Sequence, residues 1–295
     1  MAGLVPATHV FALAEDVDTR DKPAHDESSL MSPELVFILT LASRMAVTAA
    51  FVIAASIITE RSGPVIGALV ATLPISAGPS YVFLALDHDA AFIAQGALVS
   101  LPINAATMFL GLTYIFLAQR NNVVVSLGAA VVVWIGLAYL MQMIDWTLLG
   151  GIAVNVVTFA ICLPLMQRYR HARMPLITRR WYDIPLRAVL VATLVGAVVT
   201  LSATIGPTGS GILALYPIVF TSLMLILHPR IGGPPTAAVI ANGGWGLMGF
   251  GIAIALMHVT ALRFGSAIAL SLALATCVAW NLGLWSWGRK RVSAV

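Results

Sequence analysis

Apolar runs of about 20 residues, the length a helix needs to cross a bilayer, follow one another along this chain from residue 36 to residue 286, separated by short polar stretches. They define nine candidate spans: 36–58, 64–86, 91–117, 123–143, 147–166, 185–205, 209–228, 235–258 and 264–286. The predicted fold class is therefore all-α, a polytopic membrane helix bundle. Span 2 departs from the pattern. The stretch Gly63–Pro79, GPVIGALVATLPISAGP, holds three prolines and three glycines in an otherwise apolar run. Proline inside a helix removes a backbone hydrogen bond and clashes with the preceding turn. At membrane depth the freed groups must meet protein or a water-lined cavity.

The interruption recurs 143 residues later, in span 7, as Gly206–Pro217, GPTGSGILALYP. At the same offset Arg44 meets Arg187, Ala49 meets Ala192, Val52 meets Val195, Pro74-Ile75 meets Pro217-Ile218 and Arg120 meets Arg263. This predicts an internal duplication. Residues 35–143 form one four-span copy and 179–288 the other, with span 5 and a basic loop between them in 144–178. Residues 1–34 read as a disordered polar tail and 289–295 as a basic C-terminal tail. A four-span unit followed by one extra crossing turns the second copy upside down. Inverted repeats with paired broken helices meeting near the midplane are a recurring architecture of secondary transporters.

Residues 63–143 carry a Gly/Pro-containing second span reading GALVATLPISAGPSYVFLAL, a short charged loop DHDA, and a mid-helix Ser-x-Pro at Ser100 and Pro102. In these features the chain resembles the GlpM-like family of small four-span inner-membrane proteins. The second half departs from the pattern, with Gly243–Trp245 at the Ser-x-Pro position. The resemblance implies a four-span ancestor that duplicated and fused, and adds architecture rather than an activity.

Charge sets the orientation. With the N-terminal tail on one side, twelve of the sixteen basic residues fall on the opposite side, among them Arg61, Arg120, Arg168, Arg230 and Arg289. Ten of the twelve acids fall on the N-terminal side. The positive-inside tendency then predicts a bacterial-type inner membrane protein with its N-terminus outside and its C-terminus cytoplasmic. Trp146, Trp181, Tyr182, Trp285 and Trp287 lie at span ends, where an aromatic belt belongs. Only 9% of residues are charged and the mean hydropathy is +0.96, far from the roughly 25% charged content of a soluble domain. The expected partner is the lipid bilayer, and the basic pI near 9.4 marks topology rather than nucleic acid.

Candidate chemistry is sparse. Cys162 and Cys277 lie in apolar runs without disulfide or metal-ligand spacing. No phosphate-binding glycine loop and no nucleophile setting is present, so the chain is read as a non-enzyme with no cofactor and no metal. Arg44, about eight residues inside span 1 and a candidate for the substrate pathway, either snorkels to the interface or takes a buried anion-binding or pairing role. Asp87, His88 and Asp89 between spans 2 and 3, with Glu60, are the ion or proton candidates, or ordinary loop residues. A substrate pathway is expected along Gly63, Pro64, Pro74 and Pro79, their counterparts Pro207 and Pro217, and the polar groups Gln95, Asn104 and Asn242. The function expected is a secondary transporter or a flippase for a lipid or small molecule. The alternative is a non-transporting accessory or assembly subunit of an envelope export system.

Overall fold

The computed structural model describes residues 32–61, 74–172 and 180–292. Its helices are α1 (Pro33–Arg61), α2 (Ala77–Asp87), α3 (Ala90–Leu117), α4 (Val123–Gln142), α5 (Leu148–Gln167), α6 (Asp183–Ala214), α7 (Ile218–Ile231), α8 (Gly233–Phe264) and α9 (Ser266–Val292). No strand occurs among the described residues. All but the short α2 and α7 contain a segment long and apolar enough to cross a membrane, seven in total. Large apolar side chains stay exposed around the outside, including Phe37 and Val47 on α1, Val132 and Ile135 on α4, and Val156 and Ile161 on α5. In water such a surface would drive aggregation, whereas lipid contact requires it.

α3 is the central helix and is buried over most of its length. It packs along α8 and is flanked by α4, α5 and α6. α5 touches both α3 and α8, α9 packs on α8, and α1 lies against α6. The short helices fill the gaps, α2 against α6 and α9, and α7 against α4, α6 and α8.

Helix starts recur at the offset read from the sequence: Ala90 and Gly233 lie 143 positions apart, as do Val123 and Ser266. The chemistry at these starts differs. Asp89 and Asn122 precede α3 and α4 in extended conformation, and their side chains accept from the backbone N–H of Phe92 and Val125. These are ordinary N-caps. Gly232 and Gly265 precede α8 and α9 at φ 84°, ψ 168° and φ 82°, ψ 164°, a region essentially reserved for glycine. Gly206 (φ 65°, ψ −171°) is a third case and divides α6 into two helices. Pro207 follows it, with a fixed φ suited to a first helical turn. The expected boundary between spans 6 and 7 falls at this glycine.

Span 7 is itself cut. Its first half stops at Ala214, Leu215–Pro217 form the break, and α7 resumes at Ile218. The second half of span 2 is α2, which starts just after Pro74. Gly63, Pro64 and the rest of 62–73 lie outside the described residues, as do 1–31, 173–179 and 293–295. Two expected boundaries shift. α1 begins at Pro33, inside the expected tail, and α9 runs on through Arg289–Arg291 to Val292. Arginine and lysine are good helix formers and suit a helix C-terminus, so the basic stretch extends the helix.

Candidate functional site

The helix break at Leu215–Pro217 and the segment Pro74–Ser76 that leads into α2 meet at one cavity of about 140 Å³. Pro74, Ile75, Ser76 and Ala77 line it from one side, and Ala214 to Pro217 with Val219 and Phe220 from the other. α3 contributes Asn104 and Thr107, and α8 contributes Leu247 and Phe250. Pro74 with Pro217, Ser76 with Val219, Asn104 with Leu247, and Thr107 with Phe250 each stand 143 positions apart. The polar member of each unlike pair comes from the first half of the chain. The described lining is mostly apolar, with Ser76, Asn104 and Thr107 from the first half and Tyr216 from the second, and is free of charged side chains.

α2 and α7 both begin at this cavity, and neither start carries a side-chain cap. Helix N-termini present unpaired N–H groups and the positive end of the helix dipole. Beside them, Asn104 is buried on α3. Its Nδ2 donates to Asn155 Oδ1 at 2.9 Å and to the Leu247 carbonyl at 3.1 Å. Two acceptors on that nitrogen fix the orientation of the amide. Asn155 is held in turn, its Nδ2 donating to the carbonyls of Leu101 and Gly151 at 2.7 and 2.9 Å. Asn104 Oδ1 is left with no hydrogen-bond partner. A buried orphan acceptor costs about 1–3 kcal/mol. At the start of α2 the Gly78 N–H donates to the Pro74 carbonyl at 2.8 Å and Pro79 has no N–H, and at the start of α7 the Ile218 N–H donates to the Tyr216 carbonyl at 2.7 Å, so what the two starts turn toward the cavity is chiefly the positive ends of their helix dipoles.

Close backbone contact holds this arrangement. Ser100 Oγ, buried on α3, sits 2.6 Å from Tyr81 Oη and donates to the Gly211 carbonyl at 3.1 Å. A Cβ added to Gly211 would come within 2.4 Å of the Gly96 carbonyl oxygen. The first half of span 7 can lie this close to α3 only because both positions are glycine. Pro207 joins the same contact, its carbonyl oxygen 3.3 Å from where a Cβ on Gly96 would stand.

At the far ends of α2 and α7 lie two ion pairs. Arg44 on α1 holds Asp87, the last residue of α2, through two bonds of 2.5 and 2.7 Å, and its guanidinium lies 5.6 Å from the Phe83 ring centre. Arg230 in the last turn of α7 holds Asp183 at the start of α6 through bonds of 2.6 and 2.5 Å, and lies 5.3 Å from the Tyr182 ring centre. Arg180 also donates to Tyr182 Oη at 2.7 Å and, with Arg230, holds that phenol below its usual pKa. The two cations of these pairs do not occupy equivalent positions: Asp87 and Arg230 are 143 apart and of opposite charge.

The other sequence candidates disperse. Asp87 is paired with Arg44, His88 Nε2 lies 2.8 Å from Ser202 Oγ and its ring stacks on Phe92, and Asp89 caps α3. These three do not converge on a common point, and no group of three potential metal ligands occurs among the described residues. Gln95 is exposed on α3 and does not line the cavity. Asn242 is exposed on α8, where its Oδ1 accepts from Arg170 Nε at 2.8 Å. Pro79 lies in the first turn of α2, and Glu60 near the end of α1. Sequence reasoning missed Ser76, Thr107 and Tyr216 at the cavity, and the pairing of Asp183 with Arg230. The opposite charges of Asp87 and Arg230 at the repeat offset were the available signal for the second. Comparison with family models, with curated proteins and with solved structures finds no match for this chain.

Proposed function

We propose that this chain is a secondary transporter or flippase of the bacterial-type inner membrane, built from two inverted four-span copies descended from a GlpM-like ancestor. The substrate site is the cavity between the breaks at Pro74 and Pro217. The observation that carries the reading is the convergence of two uncapped helix starts on one cavity beside the unpartnered Asn104 Oδ1. Half-helix N-termini facing a mid-membrane site are how transporters of inverted-repeat architecture hold polar or anionic groups. The offset of 143 between lining residues supports a pseudo-two-fold axis through the site. α5, which touches both α3 and α8, supplies the extra crossing that inverts the second copy. Each end of the pathway then has one ion pair, Arg44–Asp87 on the outer side and Asp183–Arg230 on the cytoplasmic side. Alternating access consists of opening these in turn.

Cysteine accessibility tests this. In a background with Cys162 and Cys277 replaced by alanine, Ser76→Cys and Thr107→Cys are exposed to a membrane-impermeant maleimide from each side of oriented vesicles. Labelling from both sides, at rates that change when either ion pair is broken, is the expected result. Absence of labelling from both sides removes the aqueous pathway and leaves the accessory-subunit reading.

A further inference from the structure

Next to the break cavity lies a second, larger one of about 430 Å³ between α1, α2, α8 and α9. The two share Pro74, Ala77 and Phe250. Its described lining is almost wholly apolar, and Val47, Phe51, Val82 and Leu274 in it are also exposed on the outer surface. The cavity therefore opens sideways, toward lipid. A third cavity of about 510 Å³ between α3, α5 and α8 shares no lining residue with the break cavity.

The position equivalent to Cys277, at the offset of 143, holds a large buried side chain. Cys277 on α9 lines the cavity, and its counterpart on α4 is Trp134. The Trp134 indole is buried, donates to Thr107 Oγ1 at 3.2 Å and meets the Tyr216 ring edge-on at 5.2 Å. A cysteine thus stands at the open side cavity where the other half of the chain places an indole.

We infer that the ligand is a single-chain amphiphile, its small head group in the break cavity and its acyl chain in the cavity beside Cys277. This deepens the proposed transport reading and rests on it. The volumes set the class. The break cavity is close to the roughly 150 Å³ of an engineered cavity that takes benzene, so the head group has on the order of six non-hydrogen atoms. At about 30 Å³ per water-sized group, the side cavity takes on the order of a dozen methylenes, one chain rather than two. Chemistry sets the rest. A head group bearing an anionic or acceptor group meets the positive ends of the two helix starts, and a further polar group on it meets the side chains of Ser76 and Tyr216 in the cavity wall. The chain gains little by leaving lipid, since lipid is as apolar as the cavity wall. The head group, by contrast, cannot cross hydrocarbon without such partners. A polar pocket joined to a laterally open apolar one is the arrangement that moves one and lets the other trail.

The test uses the full chain in vesicles of phosphatidylcholine and phosphatidylglycerol, with an N-acylglycine, whose head group is a carboxylate and an amide, carrying a diazirine in mid-chain. Photolabelling should map to Met257, Leu270 or Leu274. Cys277→Trp and, independently, Ala273→Phe should each reduce that labelling at least tenfold while both variants elute as folded protein. Ser76→Ala should reduce it at least threefold. Labelling of these residues at the same yield in Cys277→Trp and Ala273→Phe as in the parent overturns the inference. If Thr107→Cys is still reached by aqueous maleimide in that case, the transport reading stands and only the amphiphile fails. Labelling that responds to the cavity-filling variants, without aqueous access to Thr107→Cys, upholds the lipid site and overturns the transport reading.

Discussion

The ion pairs at the ends of α2 and α7 do the same job with the charges exchanged. Each ties the last turn of a short helix to the long helix beside it, and each seats its arginine near an aromatic ring. The short helix carries the acid at Asp87 in the first half of the chain and the base at Arg230 in the second. Their energetics differ. Asp183 stands in the first turn of α6 and Arg230 in the last turn of α7, both aligned with their helix dipoles. Asp87 ends α2, where the dipole opposes an acid. The side chains of the Arg44–Asp87 pair are 17% and 30% exposed, those of the Asp183–Arg230 pair 13% and 14%. The second pair is therefore the tighter one, and the first opens more readily. Positions at the 143-residue offset thus carry unlike chemistry, as do the helix starts preceded by Asp89 and Asn122 in one half and by Gly232 and Gly265 in the other.

The largest contrast lies at Trp134 and Cys277. Trp134→Cys is expected to destabilise the protein by about 3–5 kcal/mol, since it empties a filled site and strips Thr107 and Tyr216 of their partner. Cys277→Trp enters existing space and should change stability by less than a quarter as much, both read from thermal unfolding in detergent. Next in size, Gly233→Ala places a Cβ 1.8 Å from the Ala118 carbonyl oxygen, a backbone clash that no rotamer relieves. The expected cost is about 3 kcal/mol. At the matching start of α3, Ala90→Gly should cost about 1 kcal/mol or less. Thermal melts of the two variants side by side would break the comparison if their losses were equal.

For the ion pairs, Asp183→Asn should cost about 2 kcal/mol and Asp87→Asn about 1 kcal/mol, because the more exposed pair is weakened by solvent. The exchange Arg44→Asp with Asp87→Arg should recover most of the loss of either single reversal, since it reproduces the order of charges at Asp183 and Arg230. A double-mutant cycle that shows no coupling would remove the pair from the comparison. Smallest are the helix starts. Gly265→Ala forces a side chain to positive φ with nothing else in its way, at about 1–2 kcal/mol. Asn122→Gly loses only a side-chain cap and should cost a few tenths of a kcal/mol.

Much of the fold was legible in the chain because its determinants are local. Run length marked the long helices, and Pro217 marked where one apolar run is cut, between Ala214 and Ile218. The glycines at 206, 232 and 265 fall at helix junctions that the polar breaks already indicated. The site was legible in part. Asn104, Pro74 and Pro217 line one cavity, whereas Gln95 and Asn242 look outward and Asp87, His88 and Asp89 each have a separate partner. A helix that is apolar on every side carries no periodic signal telling which polar residue faces inward. Gln95 and Asn104, nine positions apart on α3, therefore looked alike in the sequence.

Sequence alone determined the membrane class and the helix junctions at Gly206, Pro217, Gly232 and Gly265, because proline, glycine and hydrophobic length act on the residues next to them. Tertiary structure alone decided that the two breaks share a cavity, that Asn155 and Leu247 turn the Asn104 amide so its oxygen is left free, and that Asp87 belongs to Arg44. Those facts depend on which helices lie side by side. In a bundle whose outer surface and core are both apolar, only the packing itself makes that choice.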